Sequence, residues 1–382
     1  MSLSETLTIS EAQGDSESLG MMSIQGLRQK IDNIDMELLS LINQRAFHAA
    51  TIAELRSTVN VTNFSPEREL TIIKSLCEAN TGPLTKSAVA NVFSEIISAC
   101  RSAKRALRVA FLGPDGTFSH LAALRRFGNS ALFLPQVSID DVFYEVEKGT
   151  CDVGVTPVEN SSEGAVTATM DRFIDSNLTI CGEIFTKISH VLMSTETSVA
   201  NISEVYSHPQ ALNQCRNWLR ENLHSAALVP QSSTAESARL ALVTPRTAAI
   251  GSEGTAKQLN LSILASDIQD SQNNTTRFLL VGKNKSAPTG SDRTSLIFAT
   301  AHKPGSLYKA LEHFAKRSVN LTRIESRPMK NGSWEYFFFV DVEGHQDSSL
   351  INEAIESLRG DVEFFKILGS YPIGDSESTN LE

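Results

Sequence analysis

The chain has 382 residues, 41% hydrophobic and 20% charged, which suits two or three globular domains. Its net charge of −10 argues against a nucleic-acid partner. No apolar run approaches the ~20 residues that cross a bilayer, and the N-terminus lacks a basic region followed by an apolar one. We therefore expect a cytoplasmic protein without a membrane partner. The five cysteines form no CxxC pair, so we expect reduced thiols and no metal site.

A long amphipathic helix is predicted near the start of the chain. Residues 1–22 are acidic and rich in Ser and Thr, and we expect them to be a disordered tail. From Ser23 to Thr58 there is no Pro, and apolar residues recur three and four apart: Ile24, Leu27, Ile31, Ile34, Leu38 and Leu41. This spacing is typical of a helix with a heptad seam that packs against another helix.

Arginines interrupt this seam. Arg45 falls where an apolar residue is due, and Arg56 follows on the same face, ~16 Å further along the axis. Both could reach one small ligand, although a single seam Arg is more often a side chain that snorkels to solvent. Arg28 lies ~25 Å from Arg45, so it reaches the same ligand only from an antiparallel partner chain. A homodimer with shared sites follows from this geometry.

Two more helices complete a module that we assign to residues 23–105. The second is expected to begin with Ser65 as cap and Pro66 as first residue, with Arg68 and Glu69 in its first turn. The third is expected to span about residues 85–106, with Cys100 and Lys104 on its inward face. The module carries ten Lys or Arg against eight Asp or Glu, so cations are concentrated here.

The segments LRQKIDNID, LINQR and PERE of this module resemble the all-helical chorismate mutase family. The resemblance implies an intertwined dimer that holds chorismate in a compact conformer, with site positions at Arg28, Arg45, Arg56, Arg68, Glu69, Cys100 and Lys104. A Claisen rearrangement needs cations on two carboxylates and a donor at the ether oxygen, and no nucleophile. Ser65, Arg56, Cys100 and Lys104 replace residues usual in that family. A degenerate dimerisation module is therefore the alternative.

From Leu107 the pattern changes to short apolar strands that alternate with helices, which predicts a two-lobed α/β domain over residues 107–284. Four hydroxyl-rich turns follow strands: GTFSH, ENSSEG, SHPQ and SSTAE. Each turn could be an ordinary helix cap, and Ser233 with Glu236 forms a capping box. Because ligands bind at the carboxyl ends of strands in such sheets, four of these turns predict a polar cleft.

The segments FLGPDGTFSH, PVENSSEG, YSHPQALNQC and NNTTRF together resemble prephenate dehydratases. The resemblance implies two lobes related to periplasmic binding proteins, with prephenate between them. It implies catalytic or substrate-holding roles for Asn160, Ser207, Gln214, Thr276 and Arg277, and substrate contacts from Thr117, Glu159 and Ser161. We expect Thr276 to hydrogen-bond the leaving hydroxyl and Arg277 to clamp a carboxylate. GPDGTFS is not a nucleotide fingerprint, so no cofactor is expected.

Residues 283–293 are expected to be a linker, and residues 294–372 show the βαββαβ order of a ferredoxin-like α+β domain. HKPGSLYKAL and RIESRP resemble the phenylalanine-binding motifs of ACT domains. The resemblance implies that L-phenylalanine binds at Gly305, Ser306, Leu307, Glu325, Ser326 and Arg327. Gly305 would let the backbone approach the ligand. The alternative is a simple turn at Gly305 and a solvated charge at Arg327.

The three modules in this order resemble the family of bifunctional chorismate mutases and prephenate dehydratases. Two alternatives stay open. One is a dehydratase whose helical module only dimerises, and the other is a non-catalytic amino-acid sensor with two lobes. A sensor would not need Thr276 beside Asn160 and Gln214, and separate assays on chorismate and on prephenate distinguish the three cases.

Overall fold

The computed structural model describes residues 24–57, 64–328 and 336–374, so the predicted N-terminal tail lies outside the described residues. The chain begins with three helices: α1 (Ile24–Ser57), α2 (Pro66–Ala79) and α3 (Lys86–Ser102). The heptad spacing predicted α1 correctly. Helix α2 has Pro66 in its first turn, as predicted, and Thr85 caps α3 by accepting a hydrogen bond from the backbone N–H of Ala88.

Helix α1 packs on α3 only through its C-terminal half. Within this chain its N-terminal half is exposed, including the predicted seam, where Ile24 is 73% exposed and Leu38 49%. An apolar stripe of this length is not stable in water alone, because each large side chain left exposed forgoes roughly 1.5–3 kcal/mol of burial.

The next two units are sheets with helices on both faces. The first lobe contains β1 (Arg108–Leu112), α4 (Phe118–Phe127), β2 (Leu132–Gln136), α5 (Ile139–Lys148), β3 (Val153–Asn160), β4 (Gly164–Ala165), α6 (Thr167–Asp175), β5 (Thr179–Lys187) and, after the second lobe, β11 (Thr275–Gly282). The second lobe contains β6 (Val191–Ser194), β7 (Glu204–Ser207), α7 (Pro209–Gln214), α8 (Arg216–Asn222), β8 (Ala227–Pro230), α9 (Thr234–Val243), β9 (Thr247–Gly251), α10 (Glu253–Leu259) and β10 (Ser262–Ala265).

The strand order is β2-β1-β3-β11-β5 in the first lobe and β10-β6-β9-β7-β8 in the second. Two segments join the lobes: one leads from β5 to β6 and the other from β10 to β11. They pair with each other, since the backbone N–H of Ile188 donates to Asn274 and that of Ile268 to His190. The two-lobed α/β prediction is confirmed, and the lobes are connected by two crossover segments that pair with each other.

The third unit contains β12 (Asp292–Ala299), α11 (Ser306–Ala315), β13 (Leu321–Pro328), β14 (Tyr336–Glu343), α12 (Ser349–Asp361) and β15 (Phe364–Pro372). Its antiparallel sheet has the order β13-β14-β12-β15, which confirms the ferredoxin-like prediction. The expected linker is not a loose connection. Ser286 is buried and donates to the carbonyl of Cys181, and Asp292 already belongs to β12 and accepts from Thr289.

The third unit packs against the back of the first lobe. One hydrophobic cluster joins the two, with Ile297, Phe339 and Leu368 on one side and Met170 and Leu279 on the other. All five cysteines are buried free thiols, and burial raises the pKa of Cys151 to about 11. Within the three described ranges no helix is long and apolar enough to cross a membrane, and no cluster of acidic, His and Cys side chains could hold a metal ion.

Candidate active sites

A cleft of about 360 Å³ lies between the two lobes, at the carboxyl ends of their strands. This volume is in the range of small-molecule sites. The first lobe contributes Asn160 at the end of β3, Thr276 on β11 and the amino end of α4 at Thr117. The second lobe contributes His208 and Gln214 on either end of α7, and the hydroxyl-rich turn before α9.

Asn160 and Thr276 face each other on neighbouring strands. The Asn160 side-chain oxygen accepts from the backbone N–H groups of Ser162 and Glu163, at 3.0 and 3.2 Å. Its Nδ2 donates to Thr276 Oγ1 and to Asn274 Oδ1, both at 2.8 Å. The amide is therefore fixed in one orientation, and the Thr276 oxygen accepts from it. The hydroxyl proton of Thr276 is left to donate to a group in the cleft.

Gln214 reaches across the cleft from the second lobe. Its Nε2 donates to Glu163 Oε1 at 3.1 Å, and its Oε1 lies 2.8 Å from His190 Nε2. His190 is buried in the β5–β6 crossover, and burial lowers the pKa of its imidazole, so the ring is neutral near pH 7. A neutral ring with its proton on Nε2 donates to Gln214 and so orients the Gln214 amide. Sequence reasoning missed His190, because a single His in ISHVL carries no motif.

The other predicted cleft residues are placed differently. Thr117 lines the cleft, and its hydroxyl donates to Leu112 and caps α4. Ser207 is fully buried and donates to the carbonyl of Ile250, so its hydroxyl does not face the cleft and its catalytic role stays a prediction. Its neighbour His208 lines the cleft instead. Ser161 does not line the cleft, because its hydroxyl ties the β3 turn to β11 through Thr275 and Asn273.

Arg277 and Glu159 also depart from expectation. Successive residues of a strand point to opposite faces, so these two neighbours of Thr276 and Asn160 point away from the cleft. Arg277 is buried among Glu183, Asp341 and Tyr371. Glu159 forms an ion pair with Arg323 at 3.3 Å. The structure therefore places neither side chain in the cleft, and the predicted carboxylate clamp at Arg277 and substrate contact at Glu159 have no geometric support here.

The cleft lining contains no Lys or Arg among the residues that the structure describes. Two helix amino ends border the cleft: Thr117 caps α4 by accepting from the backbone N–H of His120, and Ser233 caps α9 by accepting from the backbone N–H of Glu236. Of the capping box predicted at Ser233, the hydrogen bond from the backbone N–H of Glu236 to the Ser233 hydroxyl is present. Helix amino ends attract anions through free N–H groups and the helix dipole, so these two ends are suited to an anionic group in the cleft.

In the helical module, Arg45 and Arg56 are half-buried on α1, while Arg28 and Arg68 are exposed. Since α1 is one uninterrupted helix, Arg28 is ~25 Å from Arg45 along the axis and cannot share a ligand with it within one chain. Cys100 faces α1, with its Sγ 3.9 Å from the carbonyl oxygen of Ile42. Arg56 also lines a separate cavity that reaches Lys283 at the end of β11.

Two residues of the helical module are used otherwise than expected. Glu69 is buried and forms ion pairs with Arg101 and with Arg126, the latter on α4 of the first lobe, so it fastens two modules together. Lys104 lies beyond the end of α3, exposed and paired with Glu54 of α1. The expected third helix was therefore too long, and Lys104 does not lie on an inward helical stripe.

The two motifs assigned to phenylalanine lie at one end of the third sheet. Ala299 at the end of β12 and Arg327 on β13 both pair with Phe337 of β14, so they are level and ~10 Å apart. Gly305 follows β12 with φ of +82°, and an added Cβ would meet no atom within 4 Å. It therefore borders open space. Ser306 opens α11, whereas Leu307 packs on the domain core.

On β13, alternate residues face the first lobe: Arg323, Glu325 and Arg327 are half-buried and Ser326 is exposed. Arg327 donates to both carboxylate oxygens of Asp171 on α6, at 2.9 and 3.0 Å. The motif that was assigned to ligand binding therefore also contacts the first lobe.

Sequence comparisons divide the chain in the same way. Residues 27–105 match the family described as Chorismate mutase type II, residues 109–286 match Prephenate dehydratase, and residues 294–360 match the ACT domain. Among curated relatives, a bifunctional chorismate mutase/prephenate dehydratase of Aquifex aeolicus is 46% identical, covering 92% of this chain and 98% of the relative.

A protein of the same description from Pseudomonas aeruginosa is 41% identical, over 91% of this chain and 97% of the relative. Among solved structures, prephenate dehydratase from Arthrobacter aurescens in complex with L-Phe is 36% identical, with a TM-score of 0.65, covering 70% of this chain and 90% of that one. With three matched modules in this order, the chain belongs to the family of bifunctional chorismate mutase/prephenate dehydratases.

Proposed function

We propose that this chain converts chorismate to prephenate in its helical module and prephenate to phenylpyruvate in the cleft between its lobes, under feedback inhibition by L-phenylalanine at the ACT domain. The observation that carries the dehydratase assignment is the pair formed by Asn160 and Thr276. A hydroxyl whose oxygen accepts from a fixed amide presents its proton to the cleft.

In the dehydratase step, the ring C–OH bond and the bond to the ring carboxylate break together with aromatisation, and CO2 and water leave. The electron pair released by decarboxylation enters the ring, and the departing hydroxide takes up one proton from solvent, so that prephenate and one proton give phenylpyruvate, CO2 and water. Thr276 donates a hydrogen bond to that oxygen, where negative charge develops. The helix amino ends at Thr117 and Ser233 hold carboxylates, and the oriented amide of Gln214 supplies a further donor.

In the mutase step, Arg45 and Arg56 of one chain and Arg28 of another hold the two carboxylates of chorismate. The exposed seam of α1 supports a homodimer, because a second copy would bury that apolar face and bring its own Arg28 alongside. Arg68 remains a proposed contact at the amino end of α2. Cys100, which packs on α1 at the carbonyl of Ile42, remains a proposed wall of the site.

L-Phenylalanine is proposed to bind beside Gly305, Ser306, Glu325 and Ser326. The positive φ and open surroundings of Gly305 leave its backbone accessible to an amino-acid ligand. Leu307 and Arg327 are better described as supports of this site, because Leu307 packs on the core and Arg327 on Asp171.

The function is tested by assaying the purified chain separately on chorismate and on prephenate, with and without L-phenylalanine. We expect turnover of both substrates, and inhibition of the prephenate reaction by phenylalanine. Turnover of prephenate alone would show that the helical module only dimerises and is not a mutase. Phenylalanine binding without turnover of either substrate would leave a non-catalytic sensor.

His190 offers a test of the proposed orientation of Gln214. His190→Leu removes the donor to Gln214 Oε1 and is expected to lower kcat for prephenate roughly tenfold, the size of one lost hydrogen bond. His190→Gln keeps an N–H donor and is expected to recover most of the rate. In steady-state assays, adding His190→Leu to Gln214→Ala should cause little further loss. Full additivity of the two substitutions would show that His190 does not act through Gln214.

A further inference from the structure

Two neighbouring strands carry cleft residues on one face and residues that contact the ACT domain on the other. In the register of β3 and β11, Asn160 pairs with Thr276 and Glu159 pairs with Arg277. Because side chains alternate along a strand, the first pair faces the cleft and the second pair faces the back of the sheet. The two sides are one residue apart along each backbone.

Arg277 is held from the ACT side. Its Nη1 donates to Asp341 Oδ2 at 2.6 Å and its Nη2 to the Tyr371 hydroxyl at 2.9 Å, and both of these residues belong to the ACT domain. Its Nε donates to Glu183 of β5 at 2.7 Å. Three directional hydrogen bonds donated by this buried guanidinium fix its position closely, and through it the backbone beside Thr276.

Glu159 is held by the same domain. Arg323 on β13 lies 3.3 Å from Glu159 Oε2, and Arg277 Nη1 lies 3.8 Å from that oxygen. The strand that supplies Arg323 continues into Glu325, Ser326 and Arg327, the residues assigned to phenylalanine. A shift of β13 at the ligand site would therefore pull on Glu159, next to Asn160.

The ACT domain and the sheet of the first lobe are in direct backbone contact. At Gly369 of β15, an added Cβ would lie 2.2 Å from the carbonyl oxygen of Ile180 on β5, so the two backbones touch. Buried side chains from both sides share one core around Phe339 and Leu279. Close-packed protein interiors have low compressibility and transmit strain.

We propose that Glu159 and Arg277 are positioning residues that hold Asn160 and Thr276 from the back of the sheet. Phenylalanine then inhibits the dehydratase by changing two contacts of the ACT domain, that of Arg323 with Glu159 and that of Asp341 with Arg277. This inference rests on the proposed function and adds the route of its regulation. Phenylalanine binds one arrangement of the ACT domain better than the other, and that difference appears at the hydrogen bond between Asn160 and Thr276.

Arg323→Leu tests the route without touching the cleft. In the full-length variant, the affinity for phenylalanine by calorimetry is expected to stay within about threefold of the native value, because Arg323 precedes the ligand motif. The phenylalanine concentration that half-inhibits prephenate turnover is expected to rise at least about tenfold, within the range of allosteric coupling. Arg317→Leu is the matched control, since Arg317 pairs with Glu353 and Ser357 inside the ACT domain.

Two results with Arg323→Leu would overturn the proposal. One is that the variant is half-inhibited at the same phenylalanine concentration as the native chain. The other is that its affinity for phenylalanine falls by as large a factor as its sensitivity to inhibition. A native chain that does not turn over prephenate, or that phenylalanine does not inhibit, is a different result and refutes the proposed function instead.

Asp341→Asn tests the positioning role of Arg277 from the ACT side. The proposal expects kcat for prephenate to fall severalfold while KM stays within about threefold, since the cleft contacts are misplaced only slightly. A raised KM with unchanged kcat would make Arg277 a substrate contact and overturn the positioning role. Because Asp341 is buried, thermal unfolding of the variant is measured alongside. The Arg323→Leu experiment, at a pair whose carboxylate is 41% exposed, decides the route if this variant does not fold.

Discussion

Thr276→Val is expected to reduce kcat for prephenate about 10²-fold to 10³-fold, as loss of one preorganised donor to a developing negative charge typically does. The substitution is nearly isosteric, and the lost group is the hydroxyl that accepts from Asn160 and faces the cleft. Since the hydrogen bond strengthens as hydroxide departs, KM should change much less than kcat. Steady-state kinetics with purified protein measures both.

Thr275→Val is the matched control for this variant. Thr275 is the preceding residue of β11, and by alternation its side chain does not share the face of Thr276. Thr275→Val should leave kcat for prephenate within a fewfold of the native value. If Thr276→Val itself retains kcat within a fewfold, Thr276 does not assist the departure of the hydroxyl.

Arg45→Ala is expected to abolish turnover of chorismate and to leave turnover of prephenate nearly unchanged. A charge-assisted contact to a carboxylate that is made in the transition state contributes on the order of 3 kcal/mol, or more than 10²-fold in rate. Arg45 lies on α1, whereas every cleft residue lies in the two lobes. Parallel assays of one preparation on both substrates measure the separation.

Lys74→Ala provides the control for Arg45→Ala, because Lys74 is an exposed cation on α2 of the same module. It should leave both activities intact. Loss of both activities in a folded Arg45→Ala protein would argue against independent sites, and retention of chorismate turnover would argue that Arg45 is only a seam residue.

The helices and strands followed from local patterns. The heptad spacing of α1 and the succession of short apolar strands depend only on residues close together in the sequence, so both could be predicted. The end of α3 at Ser102 could not, because Lys104 continues the helical spacing and no Gly or Pro marks the end of the helix.

Motifs proved less informative about which face a residue occupies. Thr276 and Arg277 are adjacent in NNTTRF, and the motif suggested that both belong to one site. Both residues lie on a strand, where consecutive side chains point to opposite faces of the sheet, so Thr276 and Arg277 cannot face the same site. No local pattern reveals the roles of Glu69 and Glu159, because their partners Arg126 and Arg323 come from other modules.

The close approach at Gly369 has a consequence for folding. A domain boundary drawn by sequence near residue 285 cuts through one shared hydrophobic core, since Leu279 and Met170 pack in the same cluster as Phe339 and Leu368 beyond that boundary. A fragment that stops there would expose this core and leave Arg277 beside Glu183 without Asp341. Heat should therefore melt the first lobe and the ACT domain in one transition, so that the regulator is also part of the catalytic scaffold.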